Sequence, residues 1–433
     1  MYLYILLIRI AAWLGHEKAR ALVRGQQEQK AHLERITANA GAVWIHVASV
    51  GEFEQARPLI EQLKIKNEEL KIVVTFFSPS GYEMRKGYEV VDGVLYLPFA
   101  TRRNARRFID ALQPKMAIFV KYEFWPAYLH ELKKRGIPTY CISSIFRPTQ
   151  RFFHWYGKLS LRLLHCFTHI YVQDEASRRL LAEHGVHDCS VTGDTRFDRV
   201  TKIVESLELR VESDERLAPI RMFVEGCERV IVAGSTWPED EELLEKAVSG
   251  ERLAVSGTKL ILVPHEIDEA HLHDIFNRFK GRMVKYSSFG VQSTEYGVQT
   301  SLESQRNILQ RAQVLVVDQM GLLSRLYAFA HVAYIGGGFG AGIHNTIEAA
   351  VYGIPVIFGP NYTHFREAKG LIAAGAARSI QNSQQLEGAF TTALDHYTEI
   401  GAKAAAYVQS ELGATERIYH ALFGEEQRAK NKD

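Results

Sequence analysis

Apolar runs of strand length alternate with amphipathic stretches along most of the chain: VWIHVAS (43–49), IVVTFF (72–77), VLYLPF (94–99), MAIFV (116–120), TYCIS (139–143) and HIYVQ (169–173). After a polar, charged segment at about 199–228 the pattern begins again with VIVAGS (230–235), LILVPH (260–265), VLVVD (314–318), VAYIGG (332–337) and PVIFG (355–359). Continuous apolar runs predict strands buried on both faces, and helical patterns between them predict parallel crossover connections. Two such series predict two doubly wound α/β domains facing across a cleft, spanning 41–198 and 229–385 and joined by a linker at 199–228. The remainder, 386–433, reads as helices that cross back to the first domain.

The first 14 residues, MYLYILLIRIAAWL, are apolar except for Arg9 and are followed by Lys18, Arg20, Arg24, Lys30 and Arg35. A spanning helix needs roughly 17–25 residues, so region 1–40 is expected to hold a helix lying in the membrane interface, with a basic cytoplasm-side flank drawn to anionic lipid. The charges lie on the wrong side of the apolar run for a cleaved signal peptide. An ordinary core helix stays open as the alternative.

Composition narrows the picture only at two points. A net charge of +2 argues against a general nucleic-acid binder. Cys141, Cys166, Cys189 and Cys227 have no C-x-x-C spacing, so neither a zinc site nor a disulfide framework is indicated.

In doubly wound sheets, ligands sit outside the carboxyl ends of the strands. The block Ile335–Pro360 reads as strand, glycine-rich turn, helix and second strand. Gly336, Gly337, Gly338, Gly340 and Gly342 let backbone amides approach an anion, and a helix beginning near Asn345 would point its N–H groups toward it, with Glu348 in reach of ribose hydroxyls. The spacing is not the G-x-G-x-x-G of dehydrogenases. Behind the first strand, His46 and Ser49 precede Glu52 at a helix start, where the dipole favours a carboxylate; Glu52 is the candidate general base, with simple dipole complementation as the alternative. Lys121, Glu123 and Arg147 follow buried strands, either as functional groups or as an ion-pair network. Arg196 in VTGDTRFD suits a phosphate or carboxylate, next to Asp194. Ser235 and Thr236, and Pro264 and His265, occupy turns like those that contact phosphates. Met320, Gly321 and Leu322 occupy a turn after Asp318 where backbone groups can read a base edge. The group His265, Glu266, Asp268, His271 and His273 has no established metal-ligand spacing and reads as a polar helix start. No D-x-D pair is present to hold a diphosphate through a metal.

Taken together, SVGE (49–52), YEFWP (122–126), GDTRFD (193–198), MG (320–321), the GGG…HNTIEAA block and the apolar N-terminus resemble the Kdo (3-deoxy-D-manno-octulosonic acid) transferases of lipopolysaccharide biosynthesis over nearly the whole length. The resemblance implies a GT-B-like fold, CMP-Kdo as donor, a lipid A precursor as acceptor, inversion at the anomeric carbon, no metal or cofactor, and residence on the cytoplasmic face of the inner membrane. It places the general base on Glu52 and CMP contacts on Pro264, His265, Met320, Gly321, Leu322, Asn345, Thr346, Ile347 and Glu348. The sequence departs from the family where Lys121 replaces a glutamate and Arg196 a lysine, both linked to the transition state, and where His265-Glu-Ile replaces Arg-His-Pro. A UDP-sugar epimerase of the same shape and a non-catalytic nucleotide-sugar sensor at the membrane are the rival readings.

Overall fold

The computed structural model describes residues 2–31, 33–208, 213–250, 257–289 and 301–430. The chain divides into two compact units, one formed by Met1–Arg199 with Glu411–Asp433 and the other by Val200–Ser410. Each is built on a seven-stranded sheet in which every pairing is parallel.

The first sheet runs β3-β2-β1-β4-β5-β6-β7, with β1 Val43–Val47, β2 Ile72–Phe76, β3 Gly93–Tyr96, β4 Met116–Val120, β5 Thr139–Ser144, β6 His169–Val172 and β7 Cys189–Val191. Its strands β1, β2 and β4 are apolar except for the buried His46 and Thr75, because successive side chains enter two different cores. Val43, Ile45 and Val47, with Ile118 and Val120, pack on the helix Val50–Lys66 through Phe53, Ala56, Leu59 and Ile60. Trp44, Ala117 and Phe119 face the other way, onto Phe108, Ile109, Tyr128 and Leu129 of the helices Arg102–Leu112 and Pro126–Lys134. Trp44 sits at the centre of that second core, its ring 5.0 Å from Phe108, 5.3 Å from Phe119 and 5.5 Å from Tyr128. Truncating a buried aromatic of this kind costs about 3–5 kcal/mol.

The C-terminal helix Ala414–Lys430 belongs to this first unit and adds Ile418, Tyr419 and Phe423 to the core around Phe53. Asp198 fixes its start: the carboxylate accepts the Gly413 amide at 2.7 Å and both the amide and the hydroxyl of Thr415 at 2.6 Å. The last residue of GDTRFD is thus a helix cap in space, 215 positions upstream of its partner.

At the N-terminus the helix Tyr2–Trp13 turns Ile5 and Ile8 toward Leu22, Tyr96 and Phe99 and leaves Leu3, Leu6, Leu7, Ile10, Trp13 and Leu14 exposed. The next helix, Glu17–Ala31, is tied down by Gln26, which donates to the Leu97 carbonyl at 2.6 Å and accepts the Phe99 amide at 3.0 Å. Among the described residues no helix is long and apolar enough to cross a membrane.

The second sheet runs β10-β11-β9-β8-β12-β13-β14, with β8 Val230–Thr236, β9 Lys259–Pro264, β10 Met283–Lys285, β11 Val314–Val316, β12 Val332–Ile335, β13 Val356–Phe358 and β14 Ala377–Ser379. Its core gathers Ile231, Ala233, Leu260, Leu262 and Tyr334 with Leu244 and Phe390 from covering helices. Strand order reverses between β1 and β4 in the first sheet and between β8 and β12 in the second. Ligands of such sheets bind at those two points, beyond the strands' carboxyl ends.

Candidate active site

In the first unit the loop after β1 carries the candidate base. Ser49 caps the helix Val50–Lys66 with an extended backbone (φ −138°), its hydroxyl facing the Glu52 amide at 3.4 Å, while the Glu52 carboxylate turns back to accept the Ala48 N–H. This reciprocal pairing is a variant of the capping box, shifted one residue outward, and it pins the carboxylate over the end of β1. Burial raises the Glu52 pKa above the ordinary glutamate value, and neighbouring Glu123 raises it further; the Ala48 amide, His46 and Lys121 offset only part of the rise. The result is a fixed carboxylate more basic than a solvated one.

Glu123, from the loop after β4, accepts the Trp125 indole N–H at 2.7 Å and pairs with His46 Nε2 at 3.1 Å. His46 is fully buried, and its Nδ1 lies 2.9 Å from the Thr75 hydroxyl, which accepts the Trp44 indole N–H at 2.8 Å. The same Nδ1 lies 3.1 Å from the Thr75 carbonyl, so one side of the buried ring is held by the Thr75 hydroxyl and carbonyl and the other by the Glu123 carboxylate.

Lys121 holds a left-handed backbone (φ 57°), its amide bonded to the Ile142 carbonyl at 3.0 Å and its carbonyl accepting the Ser144 hydroxyl at 2.9 Å. Its charge lowers the pKa of both Glu52 and Asp194, so these three groups share one electrostatic neighbourhood. Burial opposes ionisation of Asp194, yet the adjacent Arg196 guanidinium holds its carboxyl below the usual aspartate value, with Nε at 2.8 Å and Nη2 at 2.7 Å from Oδ2. Arg196 is therefore clamped on its own carboxylate. Among the described residues, the left-handed non-glycines besides Lys121 are Ser143 (φ 53°), Ser235 (φ 54°) and Gln113 (φ 43°). Gln113 ends a helix, whereas the other three sit at the carboxyl ends of β4, β5 and β8, where backbone strain commonly marks a functional site.

In the second unit, the loop after β8 and the glycine-rich loop after β12 are packed backbone to backbone. A Cβ on Gly336 would lie 2.2 Å from the Ser235 carbonyl oxygen, and one on Gly338 would lie 2.6 Å from Gly359, so neither position admits a side chain. Asp240 holds the two loops together. Buried beneath them, it accepts the Trp237 amide at 3.0 Å, the Gly337 amide at 2.8 Å and the Tyr334 hydroxyl at 2.6 Å. Burial raises the Asp240 carboxyl despite these three donors.

Thr236, fully buried, donates to Glu241 at 3.0 Å, and Glu241 pairs with His271 Nε2 at 3.0 Å. His271 Nδ1 lies 2.9 Å from the Glu266 carbonyl, so Nδ1 carries a proton and a further proton is shared between Nε2 and Glu241. Asp268 caps the helix Glu269–Arg278. His265, Trp237 and His344 form a stacked column with ring centroids 4.8 and 4.4 Å apart, and the Trp237 indole donates to His344 Nε2 at 3.1 Å.

The remaining positions singled out in the sequence are distributed as follows. Pro264 closes β9, and the His265 amide bonds to the Thr236 carbonyl at 2.9 Å, which brings the two candidate phosphate turns into direct contact. Met320 is exposed, Gly321 adopts φ +84°, and Leu322 is buried. Asp318 holds Ser287 through its amide at 2.9 Å and its hydroxyl at 2.5 Å. The helix expected to begin near Asn345 instead begins at Ile347 and is a single turn, Ile347–Ala350, which leaves little aligned dipole. Asn345 bridges it, donating to Glu348 at 2.9 Å and accepting the Ile347 amide at 3.1 Å. The Thr346 hydroxyl is fully buried with no hydrogen-bond partner among the described residues.

Sequence reasoning passed over Asp240, Glu241, Trp237 and His344. The acidic pair lay in view in GSTWPEDE, where two carboxylates one turn into a helix after a strand were a readable signal; the column of rings was not, because it joins three separate loops.

Two all-parallel sheets with loops gathered at each switch point define an α/β protein of the GT-B-like class. The UDP-GlcNAc 2-epimerase of Neisseria meningitidis, solved bound to UDP-GlcNAc, shares the architecture with a TM-score of 0.62 over 88% of this chain and all of that one, at 18% identity, a likeness of fold alone. In sequence, the profile described as 3-deoxy-D-manno-octulosonic-acid transferase (kdotransferase) matches residues 18–199. The 3-deoxy-D-manno-octulosonic acid transferase of Aquifex aeolicus is 27% identical over 83% of this chain and 88% of its own length, and that of Bordetella pertussis 26% identical over 95% and 94%. The chain is therefore similar to the Kdo transferases over most of its length.

Proposed function

We propose that this chain moves Kdo from CMP-Kdo to a lipid A precursor, with Glu52 as the general base, without a metal, at the cytoplasmic face of the inner membrane. The observation that carries this reading is Glu52 itself: a fixed carboxylate at the switch point of the first sheet, with its pKa raised, in a chain similar to the Kdo transferases. An acceptor hydroxyl gives its proton to Glu52 as its oxygen bonds to the anomeric carbon of Kdo. The bond from that carbon to the CMP phosphate oxygen breaks, and CMP leaves with the electron pair from the opposite face. Glu123 and the His46 chain keep the neighbourhood of the base polar and ordered, while Lys121 supplies the positive charge that faces the Kdo carboxylate.

On the donor side, the Gly336–Gly342 loop and the Ser235–Trp237 turn form a tightly packed backbone platform and the stacked rings offer a flat edge, which suits a nucleotide. Donor contacts are assigned to Ser235, Thr236, Pro264, His265, Met320, Gly321, Leu322, Asn345, Thr346, Ile347 and Glu348. Arg196 acts through Asp194 and Lys121 rather than as an unattached cation. The exposed apolar face of Tyr2–Trp13 supports contact with membrane lipid without spanning.

The test is incubation of the purified protein with freshly generated CMP-Kdo and a tetraacylated lipid A precursor in detergent and EDTA, read by mass spectrometry of the lipid. A gain of one or more Kdo masses is expected. No gain under conditions where CMP still binds would contradict the acceptor assignment, and turnover of a UDP-sugar without lipid would replace it with the epimerase reading.

A further inference from the structure

The segment Arg151–Arg162, which plays no part in the chemistry above, has the build of a bilayer contact. Between Glu131 and Asp174 the sequence has seven lysines and arginines and neither aspartate nor glutamate, in a chain whose net charge is only +2. Within that stretch lie two 3-10 turns, Arg151–Phe153 and Trp155–Gly157, and the helix Lys158–Leu164. One side is anchored: Phe152, Leu163 and Leu164 are buried in the core that holds Trp44. The other side displays Trp155 at 86% exposure, Tyr156 at 61% and Leu159 at 75%, figures far above what packing leaves to large apolar side chains.

The display is built into the backbone. A Cβ on Gly157 would fall 1.7 Å from the Arg151 carbonyl oxygen, and the Gly157 amide bonds to the His154 carbonyl at 2.8 Å, so the turn that carries Trp155 outward is closed on itself. Arg151, Lys158 and Arg162 are all exposed and make no ion pair among the described residues. Indole and phenol rings beside an aliphatic side chain, ringed by cations with no acid near in sequence, match the chemistry of an anionic lipid interface. Rings of this kind settle at headgroup depth, and lysine and arginine are attracted to the charged surface. An acidic protein surface would complement the charge but would leave the apolar trio without a counterpart.

We propose that Trp155, Tyr156 and Leu159, with Arg151, Lys158 and Arg162, form a second peripheral contact with anionic bilayers, separate in sequence from the N-terminal helix. It stands whatever the sugar transferred. The experiment is sedimentation of the full-length protein with vesicles of phosphatidylcholine alone or with phosphatidylglycerol added, comparing wild type, W155S/Y156S/L159S and R151Q/K158Q/R162Q. All six side chains are at the surface, and unchanged thermal melting confirms folding. The apolar triple should lower partitioning about tenfold on anionic vesicles, and the cation triple should remove most of the preference for phosphatidylglycerol. Brominated lipid should quench wild-type fluorescence more than that of Trp155→Phe. Partitioning and quenching equal to wild type in all variants would overturn the proposal. So would a cation triple that loses binding to polyglutamate while its vesicle binding is intact, a result that would assign the patch to an acidic protein.

Discussion

The two switch points of this protein are built from different materials. In the first unit the sheet edge is lined by groups that hold or move protons: Glu52, Glu123, His46 and Lys121, coupled through side-chain hydrogen bonds and charge. In the second, the backbone dominates: a glycine loop too tight for side chains is laced to a neighbouring turn by Asp240, and stacked rings flank it. A sugar nucleotide needs a rigid, shaped cradle, whereas a hydroxyl nucleophile needs one basic atom at a set position. The contrast predicts that damage to the first edge lowers turnover and damage to the second lowers donor affinity.

The largest break in that contrast comes from Glu52→Gln, which should reduce kcat by about 10²–10⁴-fold, the usual worth of one positioned base, with CMP affinity unchanged in a calorimetric titration. Wild-type turnover would remove Glu52 from the chemistry.

Asp240→Ala probes the other edge. It leaves two backbone amides and the Tyr334 hydroxyl without their acceptor, at about 1–3 kcal/mol for each unsatisfied buried group, so the melting temperature and CMP affinity should both fall. Because burial raises the Asp240 pKa above its unfolded value, its stabilising contribution is fully present below the unfolded value and is lost as pH rises through the folded one. Melting followed against pH should show that slope in wild type and less of it in the variant.

The smallest effect separates strain that serves a site from strain that serves a helix end. Gln113→Gly and Ser235→Gly each relieve a left-handed backbone and should shift stability by no more than about 1 kcal/mol. Only Ser235→Gly should raise the KM for CMP-Kdo, and an unaltered KM would make Ser235 a purely conformational residue.

Much of the fold was readable because the central strands are buried on both faces, so each named apolar run coincides with a strand. The strands that escaped, β7, β10 and β14, are each three residues long, and their side chains are mostly half-exposed. β7, β10 and β14 lie at sheet edges, where one neighbour suffices and no apolar run is required. At the site, Lys121 and His265 stood out because they directly follow buried strands, Ser235 because it lies at the end of one, and Glu52 because it opens the helix after one. What those residues touch was not legible: Glu123 meets His46 across 77 positions, and Trp237 meets His344 across 107. GDTRFD illustrates the limit well. Asp194 and Arg196 read as site chemistry, yet Asp194 clamps Arg196, and Asp198 caps a helix that arrives more than 200 residues later.

The central claim is that Glu52 takes the acceptor proton, and the pH dependence of kcat/KM tests it most directly. Only the carboxylate accepts a proton, so activity should fall as pH drops through the Glu52 pKa, with the acid limb above the ordinary glutamate range. Lys121→Met removes a charge that lowers that pKa, so it should move the limb to higher pH. In Glu52→Gln, the residual activity should lose the limb altogether. The same limb in wild type and Glu52→Gln would contradict the account, because it would place the titrating base on another residue.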